Sequence, residues 1–283
     1  MSLSILKGLH RRALGISRFD QIIGRSGFVA GGEDRPAVGL PGPDTVYLFD
    51  DFLGDLLDAS WAYVTGDTGA VSTGALSTGS GGIFRLQSEA IPLNVPGENF
   101  ALTQGLFKNW KGNMGPGGKE NYLRMVARVK AESYGTTAKR QHIFVGFGDS
   151  GGAEFPAYDT GGGIISAASD LVGFAYSPAG STLTAGKWSL VATATDVDQS
   201  ASSGVTPTNN VYDELEIEIT SGPSNAGGIA NFYINGKSVG RITSPVAMTV
   251  AMTPWIGHWI QDTGARYLDV DYVSLSASRD TGL

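Results

Sequence analysis

The chain has 283 residues with no cysteine and 41% hydrophobic content, which excludes disulfide staples and thiolate metal sites and leaves enough apolar mass for a sizeable core. Its formal net charge of -7 is unevenly placed: residues 1–25 carry Lys7, Arg11, Arg12, Arg18 and Arg25 against Asp20, a net of +4, which leaves -11 on the remainder. An acidic body without clustered Lys and Arg excludes direct nucleic-acid binding, whereas a basic leading segment suits contact with an acidic surface.

In residues 1–24, Leu6, Leu9, Ala13 and Ile16 recur at spacings of three and four, a helix-like stripe weakened by Gly8, Gly15 and Gly24. This is a short amphipathic helix or an irregular arm that orders against a partner; a terminal helix packed on its own domain is the alternative. Lys7, His10, Arg11 and Arg12 interrupt any apolar leader, and no window approaches about 18 apolar residues, so neither a secretory signal nor a membrane span is expected. Residues 27–43, GFVAGGEDRPAVGLPGP, read as a linker or extended strap.

The globular body starts at Val46. Asp50, Asp51, Asp55 and Asp58 lack the spacing of a calcium loop and read as a turn with an aspartate cap. Residues 72–82 are a small-residue loop before a strand at 83–87, and 107–119, FKNWKGNMGPGGK, is a glycine-rich excursion. Strict alternation predicts a strand over 122–131, with Leu123, Met125, Ala127, Val129 and Ala131 inward and Tyr122, Arg124, Arg128 and Lys130 outward. Strands follow at 141–148, 171–176 and 188–195, and 196–210 is a polar loop. From Val211 to Ile219 the apolar positions alternate with Tyr212, Glu214, Glu216 and Glu218, which read as a solvated strand face. Ser221–Gly228 reverses the chain, 229–234 is a strand, and Asn235-Gly236 is the preferred dipeptide of a two-residue hairpin turn before a strand at 237–242. One or two strands in 248–260 and a last one at 267–275 bring the total to about a dozen, an all-β sandwich of two antiparallel sheets.

The order of an amphipathic strand, a loop and FYINGKSVGRI resembles the "FYVDG" segment of concanavalin A-like jelly rolls, which include laminin G-like domains and laminarinase-type hydrolases. YLDVDYVSL at 267–275 resembles their closing strand. VYLFDDFLGD at 46–55, Trp61 and TPWIGHWIQDTGARYLDVDYVSL at 253–275 look most like jelly-roll virion structural proteins of tailed bacteriophages. The resemblance implies an N-terminal basic arm and strap at 1–45, a jelly-roll domain at 46–278 and a tail at 279–283.

Paired carboxylates about 5 to 5.5 Å apart would suit a retaining glycosidase. In the hydrolases of this group the catalytic strand precedes the "FYVDG" hairpin by more than one strand. The corresponding stretch here, DLVGFAY at 170–176, holds a single acid. The three histidines lie far apart, there is no GxSxG elbow, and no HxH or HExxH pair occurs. The expectation is a chain without catalytic residues, bound metal or cofactor, and not an enzyme. Trp255 and Trp259 share one face of a strand with Gly257 between them, a candidate sugar platform that core packing explains equally well.

The resemblance implies a capsid decoration (cement) protein, assembled in the host bacterial cytoplasm and carried on the capsid surface. Its arm would dock through Leu6, Leu9, Ile16 and Phe19 and pair Arg11, Arg12 and Arg18 with carboxylates of the major capsid protein or other virion proteins, in a homo-oligomer or symmetric array. A carbohydrate-binding jelly roll of a phage tail or fibre, or a lectin, is the alternative, and a glycoside hydrolase the third reading.

Overall fold

A computed structural model describes residues 45–52, 61–65, 73–77, 82–88, 99–104, 110–111, 122–136, 139–149, 158–159, 164–165, 168–178, 183–220, 228–246, 251–261 and 266–278. The chain divides into two units, 1–46 and 47–283. The arm and strap expected at 1–45 lie outside the described residues apart from Thr45, and so does the tail.

The described residues form β1 (Thr45–Asp50), β2 (Trp61–Thr65), β3 (Thr73–Ser77), β4 (Ile83–Ser88), β5 (Asn99–Gln104), β6 (Trp110–Lys111) and β7 (Tyr122–Ala131). There follow β8 (Gly135–Thr136), β9 (Lys139–Gly148), β10 (Tyr158–Asp159), β11 (Ile164–Ile165), β12 (Leu171–Tyr176) and β13 (Trp188–Ala194). The rest are β14 (Val197–Ser202), β15 (Asp213–Thr220), β16 (Ile229–Ile234), β17 (Lys237–Thr243), β18 (Ala251–Gln261) and β19 (Arg266–Ser278). One sheet of 8 strands runs β17-β16-β15-β7-β19-β4-β3, with β1 also paired to β19. The other, of 9 strands, runs β14-β13-β12-β9-β18-β5-β2, with β6 and β8 paired to β18 and β9. No described helix is long and apolar enough to cross a membrane.

Alternation fills the space between the sheets. In the first, Leu215, Ile217 and Ile219 stand level with Ala127, Met125 and Leu123 on one side and with Ile234, Phe232 and Ala230 on the other. In the second, Val172, Phe174 and Tyr176 stand level with Ala192, Leu190 and Trp188, and with Phe147, Val145 and Ile143. All of these side chains are buried. Phe174 and Phe232 meet edge to face across the gap with ring centroids 5.2 Å apart, a favoured aromatic geometry.

Asp213 ties the sheets at one end. Its carboxylate, 6% exposed, accepts from Trp188 Nε1 of the second sheet at 2.9 Å and from Asn235 Nδ2 at 3.0 Å. Asn235 and Gly236 have φ of 52° and 78°, the left-handed pair that the expected hairpin turn requires. The turn that joins β16 to β17 is thereby fastened to the start of β15.

Several expected boundaries shift. The small-residue stretch 72–82 contains β3, and the polar stretch 196–210 contains β14. The described residues of 248–260, from Ala251 on, belong to a single strand, β18.

Packing leaves no room for a side chain where β9 and β12 run beside each other. Gly146 and Gly173 are level across the pair, and a Cβ on Gly146 would stand 2.3 Å from Val172 O and 2.5 Å from Gly173 Cα. A Cβ on Gly173 would meet the Phe144 ring and Val145 O at 2.7 Å. Gly146→Ala and Gly173→Ala should therefore each lower unfolding stability by about 2–3 kcal/mol, read as a lower urea midpoint at unchanged slope. A wild-type midpoint in either variant would show that the ring and strands do not pack in this way.

Candidate functional site

Side chains other than the inner apolar residues gather in three places: the outer faces of the two sheets and a polar pair between them. On the outer face of the first sheet, residues alternating with the core positions of β4, β7, β15 and β19 bring acids, cations and tyrosines together. Asp269, fully buried, accepts from Arg85 Nε at 2.6 Å and Nη2 at 2.9 Å, and pairs with Lys130 Nζ at 3.1 Å. That hydrogen bond, ahead of the opposing cost of burial, holds the Arg85 guanidinium above its ordinary pKa. A bulge between Val270 and Tyr272 sets Asp271 against Arg128. Arg124 donates from Nε to Glu216 at 2.9 Å, a diagonal pair since Arg124 stands directly opposite Glu218. Tyr272 donates to Glu214. Arg85 lies 3.9 Å above the Tyr267 ring, and Arg128 4.4 Å above that of Tyr212, within cation–π range.

The expected solvated face is corrected here. Glu216 and Glu218 are 5% and 8% exposed and Arg124 is 9% exposed. The alternation was right about sidedness, but Glu216 and Glu218 are buried in a network of paired charges whose cations Arg85 and Arg128 stay about a third exposed.

The outer face of the second sheet carries an apolar cluster among buried polar side chains that include His142, Ser189, Thr193 and Thr253. Phe144, Leu171, Ala175, Val191 and Trp255 alternate with the inner residues of β9, β12, β13 and β18, and Ala168 and Leu183 from the connections join them in one buried cluster. Trp255 is 1% exposed, so its indole offers no open surface to a sugar ring. The side chain of Trp259 lies outside the described residues, as do the anchoring candidates Leu6, Leu9, Arg11, Arg12, Ile16, Arg18 and Phe19. At the end of β1, Asp50 accepts from Phe52 N at 2.8 Å and from Trp61 Nε1 at 2.7 Å, the expected cap, while Asp55 and Asp58 lie outside the described residues. Among the described residues no group of His, Asp and Glu could hold a metal ion.

Between the sheets, Gln141 and His258 are both fully buried, and Gln141 Nε2 stands 2.9 Å from His258 Nδ1 and 3.3 Å from Tyr267 O. The neutral imidazole accepts at Nδ1, and burial lowers its pKa to about 3. Near the Asp213 bridge, burial pushes Tyr176 up to about 12, and burial followed by the Asp213 charge pushes Tyr134 up as well. Neither the Gln141–His258 pair nor the ion layer was expected from the sequence; the signal for the latter was the alternation of Arg124, Arg128 and Lys130 on β7 against the glutamates of β15.

Comparison with solved structures decides the architecture. Peanut lectin is 12% identical, with a TM-score of 0.50, over 83% of this chain and 97% of its own. An endo-1,3-beta-glucanase from Streptomyces sioyaensis is 13% identical, with a TM-score of 0.50, over 85% and 99%. The fold is a concanavalin A-like jelly roll. An endo-beta-1,4-glucuronan lyase from Trichoderma reesei shares it at 11% identity and a TM-score of 0.50, over 81% and 94%. No protein-family model matches the jelly-roll chain, and no curated protein matches it. The expectation of a chain that is not an enzyme is corrected: the same sandwich carries a lyase and a glucanase, so a single acid at 170–176 is no ground for excluding catalysis.

Two tests follow from this chemistry. Removing one partner from a buried pair leaves the other charge uncompensated, so Glu216→Ala and Arg124→Ala should each cost about 3–5 kcal/mol, while the double variant Arg124→Met/Glu216→Leu should be far less damaging. A double variant as unstable as either single one would show that the pair is not an isolated unit. His258 binds its proton in the unfolded chain below about pH 6.5 but in the folded chain only near pH 3, so its stabilising contribution is full above 6.5 and is lost as pH falls. From pH 6.5 to 5 the loss should be about 2 kcal/mol, and His258→Gln should flatten that part of the denaturation profile.

Proposed function

We propose that the chain is a structural protein of a tailed-bacteriophage virion, a capsid decoration protein held on the shell by its leading segment. The observation that supports this reading is that the described carboxylates on one outer face are ion-paired and the apolar cluster on the other is buried. Asp269, Asp271 and Glu216 are paired with Arg85, Arg124, Arg128 and Lys130, and each residue of the other cluster is at most 2% exposed. The division of charge supports the same reading, with a basic segment of +4 in residues 1–25 joined to an acidic remainder. Leu6, Leu9, Ile16 and Phe19 would bury against the major capsid protein or another virion protein, and Arg11, Arg12 and Arg18 would pair with its carboxylates. Ordering the segment costs about 1–2 kcal/mol per residue in backbone entropy, which repeated copies around a symmetry axis help to offset through avidity. The absence of cysteine suits assembly in a host bacterial cytoplasm.

A glycan-directed jelly roll, on a phage tail or fibre or in a lectin, is the second reading. It is favoured by the solved structures that share the sandwich, named as a lectin, a glucuronan lyase and a glucanase.

The two readings separate in solution. The triple variant Arg11→Glu/Arg12→Glu/Arg18→Glu, and a form lacking residues 1–30, should keep the wild-type circular dichroism and melting while losing co-sedimentation with phage capsids. Undiminished co-sedimentation would refute the anchor. Binding to a defined glycan class on an array, or depolymerisation of a polysaccharide, by a chain that never binds capsids would favour the second reading.

A further inference from the structure

The strands β17 and β14 end the two sheets, and Gln199 Nε2 of β14 donates to Ser244 O just past β17 at 3.2 Å, so these edges lie together. They are unequally guarded. In the β16–β17 pairing the register shifts between Phe232 and Tyr233, so that Val239 is bulged out, and β17 carries exposed Lys237 and Arg241. Bulges and cations are the usual protection of an edge against pairing with another chain. Six consecutive residues of β14 pair with β13 without a shift, and all but Gln199 are exposed. Its one charge, Asp198, accepts from Thr193 Oγ1 at 2.6 Å.

The backbone of β14 is presented in a definite phase. Thr195 and Asp196, with φ of 51° and 62°, form a two-residue turn, so Ala194 and Val197 are a hydrogen-bonded pair. Ser203 N donates to Trp188 O at 3.0 Å and keeps the same phase. The N–H and C=O groups of Asp198, Ser200 and Ser202 are therefore directed away from β13, along the open edge.

We propose that this edge is a self-association surface on which β14 of a second copy of the chain adds antiparallel across a two-fold axis at Ser200. In that register Asp198 faces Ser202 and Gln199 faces Ala201, so no charge meets its like, and each outward-directed residue exchanges both N–H···O bonds with its opposite. The exposed aliphatic side chains argue for a copy of the same chain. Val197, 63% exposed, opens β14, and Val211, 50% exposed, lies on the connection leaving its other end. An antiparallel pair brings the Val197 end of each copy to the Val211-bearing end of the other. Pairing would extend the second sheet through two molecules.

The absence of cysteine makes the test clean. Residues facing each other in a hydrogen-bonded antiparallel pair have Cα atoms about 5.5 Å apart, within disulfide reach. Full-length Ser200→Cys should cross-link to a covalent dimer under mild oxidation at least about tenfold faster than Lys237→Cys, placed on the guarded edge. By sedimentation velocity the wild type should dimerise with rising concentration. Ser200→Pro removes an N–H that serves no bond within the chain, so it should be monomeric at unchanged melting temperature. A wild type that stays monomeric at its solubility limit, dimers that survive Ser200→Pro, or equal cross-linking of the two cysteine variants would each overturn the proposal.

Discussion

Asp269 and Asp271 are at most 1% exposed, and a charged carboxylate so far from water needs compensating partners, which here are cations. Asp269 takes Arg85 from β4 on one side of β19 and Lys130 from β7 on the other, so a single carboxylate joins three neighbouring strands. Arg128 and Asp271 repeat the tie between β7 and β19, and Arg124 and Glu216 make one between β7 and β15. A slip of one residue in any of these pairings would turn the charges into the core and the leucines out. The order and register of the first sheet thus depend on these ion pairs as well as on the apolar face.

The second sheet meets the same demand with different chemistry. Its outer side carries an apolar cluster, and the Phe144 ring lies against a floor made by Gly146 and Gly173. Between the sheets, the Asp213 carboxylate gathers Trp188 from one and the hairpin turn of the other. Trp188 in turn packs against Phe174, Tyr176 and Tyr134. Stability is therefore spread over three layers, of which only the middle one is a conventional sandwich core.

Both outer sides of the sandwich hold buried or ion-paired side chains, whereas β14 at the end of the second sheet is largely exposed. The solved structures that share the sandwich differ widely in what they are named for, so architecture alone does not choose among structural, binding and catalytic roles. The proposed role is argued from side chains: paired charges, a buried Trp255 and a basic leading segment.

Several strands were legible from alternation and turn chemistry alone. The expected limits of β7, β12 and β16 coincide with those observed, and Asn235-Gly236 turns as its dipeptide predicts, because backbone period and left-handed φ preference are local properties. Strand β14 was not legible: an edge strand exposed on both sides needs no apolar pattern, and its Ser, Ala and Gln read as loop. The environment of each face was not legible either. Alternation places Glu216 and Trp255 on the outer sides of their sheets, but only the tertiary structure decides whether an outer side meets water, a cation from the next strand or a second layer of apolar side chains. That depends on residues distant in the chain, such as Arg124 for Glu216 and Leu183 for Trp255, and a short-range pattern carries no information about them.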